Sequence, residues 1–200
     1  MLSSTDIANM ALGHLGVGKQ ISNIETEKSE DARSCKQFFN TTIQSMLRDF
    51  PWPFATVIQS LELVETDPND EWGYSYRYPS NCLNVKRILS GSRNDTRLNR
   101  VPYKIVNDSS GQLILTDMTD AQIEFTKNID ATSHYPVDFS LAVSFRLAAY
   151  IAPRMTAGDP FKMGERAMKM YDYELRKAQS NAANEEQPDE LPNSEFIEAR

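Results

Sequence analysis

A chain of 200 residues with 40% hydrophobic and 10% aromatic side chains is long enough for one sizeable core with a lobe inserted into it, and too apolar to be disordered throughout. Its formal charge of −7 argues against a protein that grips nucleic acid, because phosphate neutralisation needs clustered Lys and Arg. No window approaches eighteen uncharged apolar residues and the first six residues lack a basic region followed by an apolar run, which predicts neither a membrane span nor a signal peptide.

In chain order, Ile7, Ala8, Ala11, Leu12 and Leu15 recur at three and four positions, the apolar stripe of a helix. Ser3 or Ser4 is placed to cap it, Asp6 falls in the first turn, and Gly16 ends it. A second helix over 29–49 starts with Ser29 ahead of Glu30 and Asp31 and keeps its period through Ala32, Cys35, Phe39, Ile43, Met46 and Phe50, until Pro51 prevents continuation. Trp52, between Pro51 and Pro53, is expected to be buried at the junction between this helix and the next part of the chain.

Short runs rich in Val, Ile, Leu, Tyr and Thr then replace the helical period, at 57–65, 74–78, 83–89, 103–106, 113–116 and 121–127. They predict strands. Asp67-Pro68-Asn69-Asp70, Pro79-Ser80-Asn81, Ser90-Gly91-Ser92 and Asp108-Ser109-Ser110-Gly111 supply the reversals of an antiparallel arrangement. From Val137 the helical period returns through Phe139, Leu141, Ala142, Phe145, Leu147, Ala148, Ala149 and Ile151, apolar enough to predict a buried helix. A fourth helix, opened by Asp159 as cap and Pro160 in the first turn, carries Phe161, Met163, Ala167, Met170, Tyr171 and Leu175 towards Ser180.

The final twenty residues hold six acidic side chains against one Arg, with Pro188 and Pro192 forbidding a continuous helix, and are expected to be flexible. The fold class is therefore mainly α with a β insertion (α+β): a four-helix bundle-like body from 1–55 and 131–180, an inserted antiparallel β lobe over 56–130, and a flexible acidic C-terminal tail over 181–200.

Few residues invite chemistry. Gly13, Gly16 and Gly18 follow a helix instead of a strand and lack the spacing of a dinucleotide fingerprint, so they are expected to terminate the helix. His14 and His134 have no metal-ligand spacing around them, and no serine sits in a nucleophile elbow. Cys35 and Cys82 lie in apolar contexts, which predicts thiols rather than a disulfide. The carboxylate pairs Glu25/Glu27 and Asp70/Glu71 could serve a glycosidase only if one were raised by an apolar pocket, and their polar surroundings predict solvated surface. Trp72, Tyr74, Tyr76 and Tyr78 share one strand face, with Ser75 and Arg77 on the other. Such a ladder could stack bases or sugars, but without basic neighbours it is expected to cover the lobe's own core. No metal or cofactor is expected.

Asn9-Met10-Ala11-Leu12-Gly13-His14-Leu15-Gly16, Ser29-Glu30-Asp31-Ala32-Arg33 and Leu47-Arg48-Asp49-Phe50-Pro51-Trp52-Pro53-Phe54-Ala55 resemble the N-terminal half of the tail tubular proteins of A type, the head-to-tail adaptors of short-tailed bacteriophages. The resemblance continues through Tyr76-Arg77-Tyr78-Pro79-Ser80-Asn81-Cys82-Leu83, Tyr135-Pro136-Val137-Asp138-Phe139 and Leu147-Ala148-Ala149-Tyr150-Ile151-Ala152, covering roughly residues 5 to 178. It implies a virion protein without catalysis, assembled as a ring of twelve between the portal protein and the tail nozzle, with double-stranded DNA passing through the channel without specific binding. On this reading the tail threads into the portal, with Leu191, Phe196 and Ile197 as its apolar anchors. The alternatives are a virion-associated peptidoglycan-degrading enzyme, for which the acidic residues would be the resource, and a solitary binding module that forms no ring.

Overall fold

The computed structural model describes residues 2–92 and 99–185, a mixed α+β chain with four helices. These are α1 (Ser4–His14), α2 (Glu30–Asp49), α3 (Val137–Met155) and α4 (Met163–Glu185). At the start of α1 the Ser3 hydroxyl accepts from Asp6 N at 3.1 Å while the Asp6 carboxylate accepts from Ser3 N at 2.9 Å, two end donors satisfied reciprocally. Gly16 ends the helix at φ 75. Its N–H donates to Gly13 O and that of Val17 donates to Leu12 O, the left-handed stop that glycine adopts without strain. Ser29 caps α2 through Ala32 N at 3.2 Å.

Nine residues of α3 are buried, from Phe139 to Ala152, and α3 packs on α1, α2 and α4. The α3–α4 approach is closest at Gly164, where a Cβ would lie 3.0 Å from Ala152 Cβ and 2.8 Å from Asp159 Oδ2. The stripe of α4 then continues through Ala167, Tyr171, Ala178 and Ala182, mostly small side chains that let the helices lie close.

Between α2 and α3 lie β1 (Thr56–Ser60), β2 (Leu63–Asn69), β3 (Trp72–Arg77), β4 (Cys82–Ile88), β5 (Lys104–Asp108), β6 (Gly111–Thr116) and β7 (Gln122–Lys127). They form two antiparallel sheets, β1-β7-β4 and β2-β3-β6-β5. Tyr76, Val85, Ile88, Ile114, Ala121, Ile123 and Phe125 build an apolar cluster of their own. The helical cluster draws on residues 7–55 and 135–182, and Leu83 and Ile129 pack against it from the β side.

Several expectations are corrected. The run 57–65 is two strands: Leu61 N donates to Ala121 O at 2.9 Å, extending the β1–β7 ladder, and Arg77 N then donates to Glu62 O at 2.8 Å, handing the chain to β3. Residues Asp67 to Asn69 belong to β2 rather than to a turn, because a left-handed Asp67 (φ 48) and a register shift accommodate Pro68 on an edge strand. The reversal comes at Asn69, whose Oδ1 accepts from Glu71 N and Trp72 N. Ser75, on the strand face opposite the tyrosines, is buried and pairs with Leu115. Helix α4 starts at Met163, not at Pro160, since Asp159 and Lys162 have left-handed φ of 62 and 55. Asp159 still caps it, accepting from Met163 N and Gly164 N, and Phe161 stands outside the helix, 82% exposed. The helix also runs beyond Ser180: residues 181–185, expected in the flexible tail, are helical, with Ala182 buried on the stripe.

Candidate functional site

The best-built feature is the place where the chain leaves the helices for the strands and returns. Pro51 ends α2, a short 3-10 turn (Pro53–Ala55) comes next, and a second (Thr132–His134) leads back to α3. Trp52 is 1% exposed, and its Nε1–H donates to Met46 O at 2.8 Å, pinning the ring to the last turns of α2. Phe50 and Phe139 meet it edge-on, both at 4.9 Å between ring centres, the arrangement ring quadrupoles favour. Phe54 and Tyr135 both stand edge-on to Phe139 and lie 6.0 Å from each other. Tyr135 donates its hydroxyl to Ile129 O, and burial pushes its pKa up. The two ends of the β segment are thus fixed side by side on one aromatic cluster. Burial of Trp52 was legible from the flanking prolines; its convergence with Phe54, Tyr135 and Phe139, distant in sequence, carried no local signal.

A polar node holds the helices behind it. Arg146 of α3 donates to Ser45 Oγ at 2.7 Å and Asp49 Oδ2 at 3.1 Å on α2, to Tyr150 Oη at 3.2 Å, and to Tyr171 Oη at 3.0 Å on α4. Its guanidinium also lies 5.2 Å from the Tyr171 ring centre. One planar fork therefore ties three helices with four hydrogen bonds, more than the three donors of a lysine could make. Asn181 Nδ2 donates to Asp138 Oδ2 at 3.0 Å, fastening the end of α4 to the first turn of α3. The predicted anchors Leu191, Phe196 and Ile197 lie outside the described residues.

The groups that might do chemistry are held in quiet states. Burial pushes the Cys35 thiol up to about 12, with the nearby Asp31 adding to it, and burial also raises Cys82. Both are protonated thiols at neutral pH, poor nucleophiles. Glu27 is drawn down to about 2 by the Ser29 hydroxyl and then by the backbone and hydroxyl of Ser22. A general acid needs the opposite shift. Asp70 and Glu71 occupy the exposed β2–β3 turn. His14 stacks on Phe145 at 3.8 Å between ring centres, and its Nε2 lies 3.0 Å from Ser144 Oγ. Among the described residues, no three of His, Cys, Asp and Glu gather as a metal-binding group.

Two surface features remain. A cleft of about 620 Å³ opens between the sheets, lined by residues 59–62, 77–82 and 110–112. Apolar side chains reach into water on both parts of the chain: Val137 (74% exposed) and Tyr173 (63%) on the helices, Phe161 in the α3–α4 connection, and Ile58 and Leu63 on the strands. Tyr74, Tyr76 and Tyr78 pack into the β cluster, the use expected of that ladder, whereas Trp72, expected with them, is not part of it. No protein-family model matches the sequence, and none of the curated proteins matches it.

Proposed function

We propose that this chain is the head-to-tail adaptor of a short-tailed bacteriophage or prophage, a subunit of a ring that joins portal to tail nozzle and encloses the DNA exit channel, with no catalytic role. The observation that carries the reading is the division of the apolar interior into two clusters, one drawn from the helices at both ends of the chain and one from the strands between them. We read these as a four-helix bundle-like body and an inserted β lobe, the architecture implied by the motifs around Leu12, Trp52, Tyr78 and Phe139. A ring subunit needs a rigid body with contacts on several sides, and exposed Val137 and Tyr173 on the helices and Phe161 in the connection between α3 and α4 offer apolar contact points. The net charge of −7 suits a channel that DNA must traverse without sticking.

The test is to mix the purified protein with the portal ring encoded beside it and image the product by electron microscopy. The expected product is a second ring stacked on the portal, formed even if the free protein is monomeric, because the portal supplies the template. A chain that remains monomeric in the presence of that portal sinks the adaptor reading. The peptidoglycan-degrading alternative is checked on a cell-wall zymogram, where no clearing is expected; clearing abolished by one Asp or Glu substitution would replace our reading with the enzyme.

A further inference from the structure

Among the described residues, strand β1 is an open edge of its sheet. Its one ladder runs to β7, from Thr56↔Thr126 to Ser60↔Gln122, without a register shift. An edge presents a row of unpaired N–H and C=O groups, which proteins ordinarily blunt with charge, proline or a bulge. The other three edges are blunted in these ways: β2 carries Pro68, the left-handed Asp67 and two register shifts; β4 carries Lys86, Arg87 and two register shifts; β5 is bounded by Lys104 and Asp108. The β1 sequence Thr56-Val57-Ile58-Gln59-Ser60 has none of these devices, and its Ile58 is 58% exposed.

The end of β1 leads directly into the cleft, whose wall includes Ser60, Leu61 and Glu62. Within it Arg77 is already neutralised, since its two terminal nitrogens bond the two carboxylate oxygens of Asp108 at 3.2 and 3.1 Å. Glu62 has no ion partner among the described residues. Among the described residues the cleft therefore keeps an uncompensated negative charge, on a protein that is acidic overall.

We infer that β1 is a docking edge for an extended segment of a partner protein. The segment adds to the β1-β7-β4 sheet as a fourth strand, lays an apolar side chain over Ile58 and reaches a Lys or Arg into the cleft towards Glu62. Main-chain bonds supply the attachment and the two side chains the selectivity, as in other strand additions. A second copy of β1 is the wrong occupant, because residues 56–60 bring no basic side chain. The inference stands apart from the adaptor reading and its test involves neither portal nor ring.

The full-length ¹⁵N-labelled protein is titrated with peptides of roughly nine residues, a strand's length: one alternating valine and lysine, one identical but methylated on alternate backbone nitrogens, and one alternating valine and glutamate. The unmethylated lysine peptide alone is expected to shift the Ile58 and Glu62 amides saturably and to slow hydrogen exchange across residues 57–60. Glu62→Gln should weaken it about two- to fivefold, the range of one exposed ion pair. Equal binding of the methylated peptide would reduce the effect to charge attraction and overturn strand addition. Equal binding of the glutamate peptide, or an unchanged affinity in Glu62→Gln, would overturn the basic partner. No binding, or protection of residues 57–60 that rises with protein concentration alone, would overturn the docking edge itself, the latter by making a second copy its occupant.

Discussion

Trp52 fills the space between Phe50, Phe54 and Phe139 and is tied by its indole N–H to the carbonyl of Met46. Trp52→Ala removes the ring and leaves a void the surrounding aromatics cannot close, so it should cost about 3–5 kcal/mol; chemical denaturation measures this, and an unchanged midpoint refutes it. His14 makes a different prediction. The Ser144 hydroxyl donates to Leu141 O at 2.7 Å, so the hydrogen between His14 and Ser144 belongs to the imidazole Nε2. Burial holds the folded pKa below the ordinary value of 6.5. As pH falls below 6.5 the unfolded chain takes up this proton first, so stability is full above that value and declines towards the lower folded pKa. Melting temperatures measured between pH 8 and pH 5, on the order of one unit either side of the histidine range, should fall more steeply for the wild type than for His14→Gln; parallel curves would remove His14 from the account.

At the scale of elements, the α3–α4 connection is the most contorted stretch of described backbone, with Ala157, Gly158, Asp159 and Lys162 all at positive φ. Ala157 is exposed and bears a Cβ at φ 51, so Ala157→Gly should relieve its strain and, after the added freedom of the unfolded chain, gain roughly 0.5–1 kcal/mol. A lowered melting temperature would show the conformation to be unstrained. This connection also marks a limit of sequence reading. Asp159 and Pro160 announced a helix start, and Asp159 is indeed the cap, but glycine-like dihedrals at alanine, aspartate and lysine leave no mark in a sequence and delay the helix to Met163. The caps at Ser3 and Ser29 and the stops at Gly16 and Pro51 were legible because each is fixed by one residue's own chemistry. The split of 57–65 was not, because it depends on Ala121 and Arg77, residues that only the tertiary fold brings alongside.

For the whole molecule, the order of helices and strands came from the change in hydrophobic period, whereas the meeting of Phe54 with Tyr135 across eighty intervening residues had no sequence signature. Their 6.0 Å separation makes a direct prediction. A variant joining Phe54 to Tyr135 through a short Gly/Ser linker should keep a helical circular dichroism spectrum and a cooperative melt, since the helical cluster takes only the small Ala55 and the partly buried Leu83 and Ile129 from the removed segment. Loss of cooperativity would show body and lobe to be one unit. The same separation bears on how tension travels. Helices α2 and α3 run antiparallel, with Gln37 against Arg154 and Asp49 against Arg146, and the strands hang from the C-terminal end of one and the N-terminal end of the other. A pull on the strands therefore enters both helices at the same end and in the same direction, so the pair is drawn as a single rod and neither helix is made to slide along the other.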